Sequence, residues 1–191
     1  PGEVLPLHIF EPRYREMTRD ALNQHRVIGM IEYANEGSVP NTDEQAVRDV
    51  GCAGFIAEHT ELPDGRYLLW LLGLERFRIV EEIPSDTPYR QVRVAFTPVE
   101  ENATLAAGRH PVRTELQQTL PRLVDLDQEA RTRLQSQILQ ISDAQLVALA
   151  SQILELPTDR KRQLLEADTQ VERLILICED LYRHLDGTVD F

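Results

Sequence analysis

Lysine is almost absent from this sequence of 191 residues, in which Lys161 is the single example. A P-loop requires a lysine after its glycine-rich turn, and Schiff-base enzymes require a lysine nucleophile. Lys161 lies in an Asp-Arg-Lys-Arg run with no glycine nearby. A P-loop NTPase and most lysine-dependent enzymes are therefore excluded.

Cysteine and long apolar runs are also scarce. Cys52 and Cys178 lie far apart and form no C-x-x-C pair, which indicates two buried thiols in a reducing cytosol. No apolar run approaches the ~20 residues of a membrane span, and no signal-peptide pattern is present. We therefore expect a cytoplasmic protein that does not enter a membrane.

Basic residues are too few to balance the acidic ones. The chain carries 20 Lys and Arg against 32 Asp and Glu, a formal net charge of -12. Such a surface repels polyanions and anionic lipid, which disfavours a nucleic-acid partner. The apolar share of 42%, with 27% charged residues, is typical of a folded globular chain.

The sequence shows no arrangement typical of a catalytic or metal site. The five histidines are scattered without H-x-x-x-H spacing, and no serine lies in a G-x-S-x-G motif. His8 and Glu11 are close enough in sequence to act as an acid–base pair, but structural roles at a strand edge and a helix start are favoured. We expect no metal, no cofactor and no enzymatic activity.

Residues before about 101 follow β-strand patterns. The predicted strands are 4–10, 26–33, 50–61, 66–72, 75–83 and 91–99, with a helix at 12–24 and a long polar loop at 34–49. Pro6 favours an edge position or a bulge for the first strand. The Pro-Asp-Gly sequence at 63–65 predicts a hairpin turn. Short antiparallel strands of this kind indicate a barrel-like module.

Two stretches of this β region predict how the strands pack. Residues 67–72 are apolar at every position, so both faces of that strand are predicted to be covered, with Trp70 in the core. Gly51 and Gly54 fall inside a strand without G-x-G-x-x-G spacing, which predicts close packing and not a pyrophosphate site.

Helical periodicity replaces strand alternation after residue 101. Capping-box patterns open helices at Ser142 and Thr169, and an apolar stripe continues along the last helix. The stretch from 112 to 141 is also predicted to be helical, with an interruption near Pro121. These patterns predict a β-rich domain at 1–101 and a helical bundle at 102–191.

Three strings carry a resemblance to a known family. Residues 5–17 (LPLHIFEPRYREM) resemble the opening signature of the amino-terminal substrate-binding domain of the ATP-dependent Lon protease, also called protease La. Residues 62–67 (LPDGRY), followed by 73–79 (GLERFRI), resemble its second signature. Leu156-Pro157 and Glu172-Arg173-Leu174 recur in the helical tail in the family's order. The resemblance covers nearly the whole chain.

The resemblance implies an α+β fold, with an N-terminal PUA-like β pseudo-barrel followed by a C-terminal α-helical bundle. Members of the family usually begin with an additional strand, of which only Pro1-Gly2 remains here, so the first strand is expected to be missing. The sequence ends before the ATPase and peptidase parts. It is therefore similar to a stand-alone Lon-domain protein, which would neither unfold nor cleave a substrate.

The signature residues have a structural and a functional interpretation. In the structural one, Glu11, Arg13 and Arg76 form an ion-pair network above Tyr14 and Phe77. In the functional one, Tyr14, Tyr33 and Arg76 line a groove that holds an extended peptide.

The resemblance implies a non-catalytic module that binds unfolded or misfolded polypeptide, or acts as an adaptor, at a sheet edge and an adjacent groove. A PUA-type RNA-binding module is the first alternative. The ten basic and seventeen acidic side chains of residues 1–100 disfavour it. Self-association through the helical half, as a scaffold, is the second alternative. A hydrolase without a recognisable motif is the third.

Overall fold

A computed structural model describes residues 1–34, 46–97 and 111–187 of the chain. It divides the chain into two units, Pro1–Pro98 and Val99–Phe191. The predicted domain boundary at 101 and most of the predicted loop, residues 35–45, lie outside the described residues.

The first unit contains one antiparallel sheet. Its strands are β1 (Val4–Ile9), β2 (Val27–Tyr33), β3 (Val47–Glu61), β4 (Tyr67–Ile83) and β5 (Gln91–Phe96). On one edge of β4 lies β3, which in turn pairs with β2. The other edge of β4 pairs with β1 along its first half and with β5 along its second half. The edge position predicted for the proline-containing first strand is confirmed.

The prediction of uniformly short strands is wrong for the centre of the sheet. β3 has 15 residues, and β4 runs for 17 residues through Gly73, where two separate strands were predicted. The register between β3 and β4 shifts where Ala53 faces Glu75 and Gly54 faces Gly73, which leaves Leu74 unpaired. Such a bulge bends a strand without ending it, so the chain turns while β4 continues.

Helix α1 (Pro12–Leu22) lies on one face of this sheet. Proline suits the first helical position because its fixed φ matches the helix and its missing N–H would have no partner there. Met17 and Ala21 of α1 pack against a core that includes Ile56, Leu69 and Leu71. We call the face of the sheet beneath α1 the inner face.

Two glycines bring the strands into close contact, as predicted from the sequence. A Cβ atom on Gly51 would lie 2.5 Å from the Phe77 ring and 2.6 Å from the Met30 carbonyl oxygen, and one on Gly54 would lie 2.5 Å from Leu71. Neither separation leaves room for a methyl group, because the contacts include backbone and buried side chains.

Gly51→Ala is expected to lower the free energy of unfolding by about 2 kcal/mol, the usual cost of overpacking a core. Gly29→Ala is the matched control, because its Cβ would meet the same Phe77 ring at an ordinary 3.4 Å. Urea unfolding measures both variants. Equal losses of stability in the two variants would contradict the packing argument.

The second unit is helical wherever it is described. Its helices are α2 (Pro111–Leu123), α3 (Gln128–Ile138), α4 (Asp143–Ile153), α5 (Thr158–Glu166) and α6 (Gln170–Leu185). Leucine, isoleucine and alanine side chains from all five pack into one core. The order of a sheet and then helices confirms the predicted α+β class.

Both predicted capping boxes are present. The Ser142 side chain accepts a hydrogen bond from the backbone of Gln145, and the Thr169 side chain accepts one from the backbone of Glu172. Pro121, in contrast, lies inside α2 and is buried. The helix interruption falls after Leu123, and Asp127 caps the next helix.

Candidate functional site

The face of the sheet opposite α1 brings together side chains from three strands. Trp70 of β4 is in register with Pro6 of β1 on one side and with Glu58 of β3 on the other. Residues paired across antiparallel strands point to the same face, with Cβ atoms about 5 Å apart. Two residues before Trp70 on β4, Leu68 is in register with His8 and Thr60.

The apolar residues of this face are exposed, which corrects the prediction that both faces of residues 67–72 are covered. The exposed fractions of Phe10, Leu68 and Trp70 are 59%, 46% and 50%. Trp70 is therefore not a core residue. The inward positions Tyr67, Leu69 and Leu71 take the buried places beneath α1, as strand alternation requires. We call the exposed residues Val4, Pro6, Phe10, Leu68 and Trp70 the apolar outer face.

Polar groups border the apolar outer face. The His8 ring lies 5.8 Å from the Phe10 ring, and His8 Nε2 is 3.3 Å from an Arg66 guanidinium nitrogen. Arg66 also pairs with Asp64, with 2.7 Å between Arg66 Nε and Asp64 Oδ2. The pKa of Asp64 is lowered, mainly because its carboxylate accepts a hydrogen bond from the Arg66 backbone N–H and also because it accepts one from the Arg66 side chain. Arg66 is thus held by the hairpin turn, while Glu58 presents an exposed carboxylate.

Two of the three predicted groove residues, Tyr14 of α1 and Tyr33 at the end of β2, lie close together. The hydroxyl oxygens of Tyr14 and Tyr33 are 3.5 Å apart. The Arg13 guanidinium stacks 4.5 Å from the centre of the Tyr14 ring, and Arg13 Nε lies 3.2 Å from a Glu11 carboxylate oxygen. The Glu11–Arg13 part of the predicted ion-pair network is therefore present. That Tyr14 and Tyr33 contact a peptide stays a prediction.

Arg76, the third predicted groove residue, is in the interior. It is 3% exposed, and its Nε donates to the Thr97 carbonyl oxygen at 3.1 Å. A buried guanidinium is not presented to a ligand at the surface. The structure therefore brings the two tyrosines together but does not place Arg76 on the surface beside them.

Removal of the Tyr14 hydroxyl is expected to change how stability depends on pH. Burial, aided by the hydrogen bond with Tyr33, raises the pKa of Tyr14 from 10.0 to about 12. The folded state thus keeps a proton that the unfolded state loses between about pH 10 and about pH 12, so stability falls as pH rises through that range. Tyr14→Phe lacks this part of the decline.

Urea midpoints at about pH 9 and about pH 11 measure the effect, because these values lie on either side of the unfolded-state pKa of tyrosine. The wild type should lose more stability than Tyr14→Phe between the two values. Parallel losses in the two proteins would contradict the assignment of this pKa shift to Tyr14.

The two cysteines differ in burial. Cys178 is buried in the helical unit, and burial raises the pKa of its thiol to about 11. Cys52 is only half-buried, so the prediction of two buried thiols holds for Cys178 alone.

The described residues give no sign of a metal centre or a membrane span. In residues 1–34, 46–97 and 111–187, no three His, Cys, Asp or Glu side chains are grouped so that they could hold a metal ion. None of the described helices combines the length and the apolar character that crossing a membrane requires.

Sequence reasoning missed the apolar outer face, although a signal for it was present. Residues 58–61 read Glu-His-Thr-Glu, and the hairpin turn at 63–65 sets them opposite the apolar run at 67–72. A stretch with polar residues at successive positions is solvated on one face at least, so its partner strand shares that exposure. The polar strand therefore predicts that one face of the apolar run is exposed, and the structure identifies this face as that of Leu68 and Trp70.

Comparison with known proteins gives the family. Residues 1–183 match the sequence model of the ATP-dependent protease La (LON) substrate-binding domain. The chain is 24% identical to the Lon protease of Amoebophilus asiaticus and 28% identical to Lon protease 1 of Herpetosiphon aurantiacus, in each case over 97% of its own length. It spans 22% and 23% of those relatives, so only a part of each is matched.

Solved structures share the fold. A Lon N-terminal domain protein from Xanthomonas campestris superposes with a TM-score of 0.64 at 20% identity, covering 94% of this chain and 90% of that one. The N-terminal domain of a Mycobacterium avium complex Lon protease superposes with a TM-score of 0.69 at 18% identity, covering 96% and 92%. Since the family match extends over nearly all residues, this chain belongs to the family of the protease La (LON) substrate-binding domain.

Proposed function

We propose that this chain is a non-catalytic module that binds unfolded or misfolded polypeptide, and that the apolar outer face is its binding surface. The family to which it belongs is described as a substrate-binding domain. The observation that carries the proposal is the exposure of Phe10, Leu68 and Trp70 together on one sheet face. Exposed clusters of large apolar side chains are typical of interaction surfaces.

The energetics of this face suit weak and sequence-tolerant binding. Covering a fully exposed large apolar side chain contributes about 2 kcal/mol. Because Leu68 and Trp70 are already about half covered, each offers about 1 kcal/mol. A partner must therefore contact several residues of the face at once, which an extended apolar segment does and a folded, polar surface does not.

The edge of β1 gives such a segment a second way to bind. Within the described ranges, β1 pairs with β4 alone. An extended peptide can add to a sheet edge through backbone hydrogen bonds, which supply affinity without reading sequence. Side chains of that peptide would then reach the outer face at every second position.

The finer predictions also remain part of this proposal. The composition and the missing motifs support a cytoplasmic location and the absence of enzymatic activity, and the family resemblance supports an adaptor role. RNA binding and self-association through the helices stay predictions. The acidic Glu58 on the outer face is unfavourable for a polyanion.

Trp70 provides a direct test because it is the only tryptophan in the chain. A labelled, permanently unfolded polypeptide is titrated with the protein and followed by fluorescence anisotropy, at low and high salt. Emission of Trp70 and its quenching by acrylamide are recorded in parallel. A folded protein of similar charge is the control.

Saturable binding that spares the folded control, shifts Trp70 emission to the blue and protects Trp70 from acrylamide is the expected result. No saturation over a wide concentration range would refute the function. Saturable binding with unchanged Trp70 emission and quenching would refute the surface, and would direct attention to Tyr14 and Tyr33.

A further inference from the structure

We propose that the preferred polypeptides carry a basic residue next to an apolar one, and that Glu58 and Trp70 together form the subsite for this cation. This inference rests on the proposed function, because it concerns the polypeptide bound at the same surface. Glu58 and Trp70 are directly opposite each other on β3 and β4, and both are exposed. Their side chains share the outer face, so a ligand cation can contact both.

The two groups recognise the same charge by different means. The face of a tryptophan ring attracts a cation more strongly than any other aromatic side chain does. A carboxylate on the neighbouring strand attracts the same cation by direct ion pairing and accepts its hydrogen bonds. The methylene stem of a lysine or arginine can meanwhile lie along Leu68 or Trp70. The subsite thus favours long basic side chains over small polar ones.

Glu58 has no basic partner among the residues that the structure describes. Arg26 is the basic residue that contacts this part of β3, and its guanidinium lies 3.4 Å from the Ala57 carbonyl oxygen and 3.4 Å from His59 Nδ1. Arg66, at the hairpin, pairs with Asp64. A cation from a bound polypeptide would therefore not have to displace an existing ion pair.

The charge of the chain acts in the same direction at longer range. A net charge of -12 attracts basic segments and repels acidic ones before contact. An acidic residue of a ligand placed beside Glu58 meets like charge, so the subsite discriminates by repulsion as well as attraction. Both effects weaken with added salt because the exposed charges are screened.

Three peptides of one apolar sequence test the subsite. They differ at a single central position, which is lysine, glutamine or glutamate, and their binding is measured by anisotropy at low and high salt. For the wild type, the lysine peptide is expected to bind about fivefold more tightly than the glutamine peptide, the usual size of one exposed cation–π contact with one exposed ion pair. The glutamate peptide should bind most weakly.

Glu58→Gln separates the local subsite from the overall charge. This variant should keep only the part of the lysine preference that Trp70 supplies, about twofold instead of about fivefold. Glu61→Gln is the matched control, because it removes the same charge from the same strand, but Glu61 pairs with Tyr67 and so points to the inner face. Glu61→Gln should keep the lysine preference. Circular dichroism checks that the two substitutions, both at exposed positions, leave the fold intact.

The outcomes separate the subsite from the function on which it rests. Equal binding of all three peptides by the wild type would overturn the subsite and leave polypeptide binding in place. An equal reduction of the lysine preference in Glu61→Gln and in Glu58→Gln would also overturn it, since net charge alone would then be responsible. Absence of binding for every peptide would count against the proposed function itself.

Discussion

The double substitution Leu68→Thr with Trp70→Thr is expected to weaken the binding of unfolded polypeptide by more than tenfold. Each side chain contributes about 1 kcal/mol when a ligand covers its exposed half. A loss of about 2 kcal/mol exceeds the 1.4 kcal/mol that corresponds to a factor of ten in affinity. Anisotropy titration of a labelled unfolded polypeptide measures the change.

The same variant should also lose about 2 kcal/mol of stability, because the covered halves of Leu68 and Trp70 are removed as well. Threonine has a high strand propensity, so the sheet should still form, and affinity is measured where urea unfolding shows both proteins to be folded. Val80→Thr is the matched control, because Val80 is an exposed apolar residue of the same strand that lies beyond the pairing with β1. Unchanged affinity in the double variant would place the site elsewhere, and the Tyr14–Tyr33 pair would be the next to test.

The second large effect is expected in the helical unit, where Asp143→Ala should lower the free energy of unfolding by about 3 kcal/mol. Arg113 of α2 is buried, pairs with Asp143 at the start of α4, and donates to the Ile141 carbonyl oxygen at 2.6 Å. Removal of the carboxylate leaves a buried guanidinium without its counter-charge, which typically costs 3–5 kcal/mol. Urea unfolding followed by helical circular dichroism measures the loss.

Two further variants make this test specific. Arg113→Met combined with Asp143→Ala should recover part of the loss, because the uncompensated charge is then absent. Glu129→Ala is the control, since its pair with Arg133 joins two exposed side chains in α3 and should contribute less than about 0.5 kcal/mol. A similar cost for Asp143→Ala and Glu129→Ala would show that the burial of Arg113 does not matter.

Features that depend on neighbouring residues could be predicted from the sequence. The capping boxes at Ser142 and Thr169 involve side chains and backbone amides three residues apart, so the motif alone determines the contact. The turn at Gly65 needs a positive φ, which is +77° in the structure, and glycine supplies it without steric cost. The close packing at Gly51 was likewise predictable from a glycine inside a strand.

The position of Arg76 could not be predicted in this way. The motif that contains Arg76 resembles the family's second signature. A sequence motif, however, does not determine whether its side chains face the core or the solvent. Burial of Arg76 depends on the way β4 and β5 pair and on the Thr97 carbonyl that accepts its hydrogen bond. Tyr14 and Tyr33 are 19 residues apart in the sequence, and the fold brings their hydroxyl oxygens to 3.5 Å, while their contact with a peptide stays a prediction.

The sequence by itself determined the α+β class, the order of the sheet and the helices, the helix caps and the family, because each follows from local periodicity or from contiguous motifs. The tertiary structure alone decided that β4 is one bent strand, that Arg76 is buried and that Trp70 is exposed. An apolar residue on a strand is buried only if another element covers its face. In the first unit α1 covers the inner face of the sheet, and the same apolar run therefore supplies both the core and the proposed binding surface.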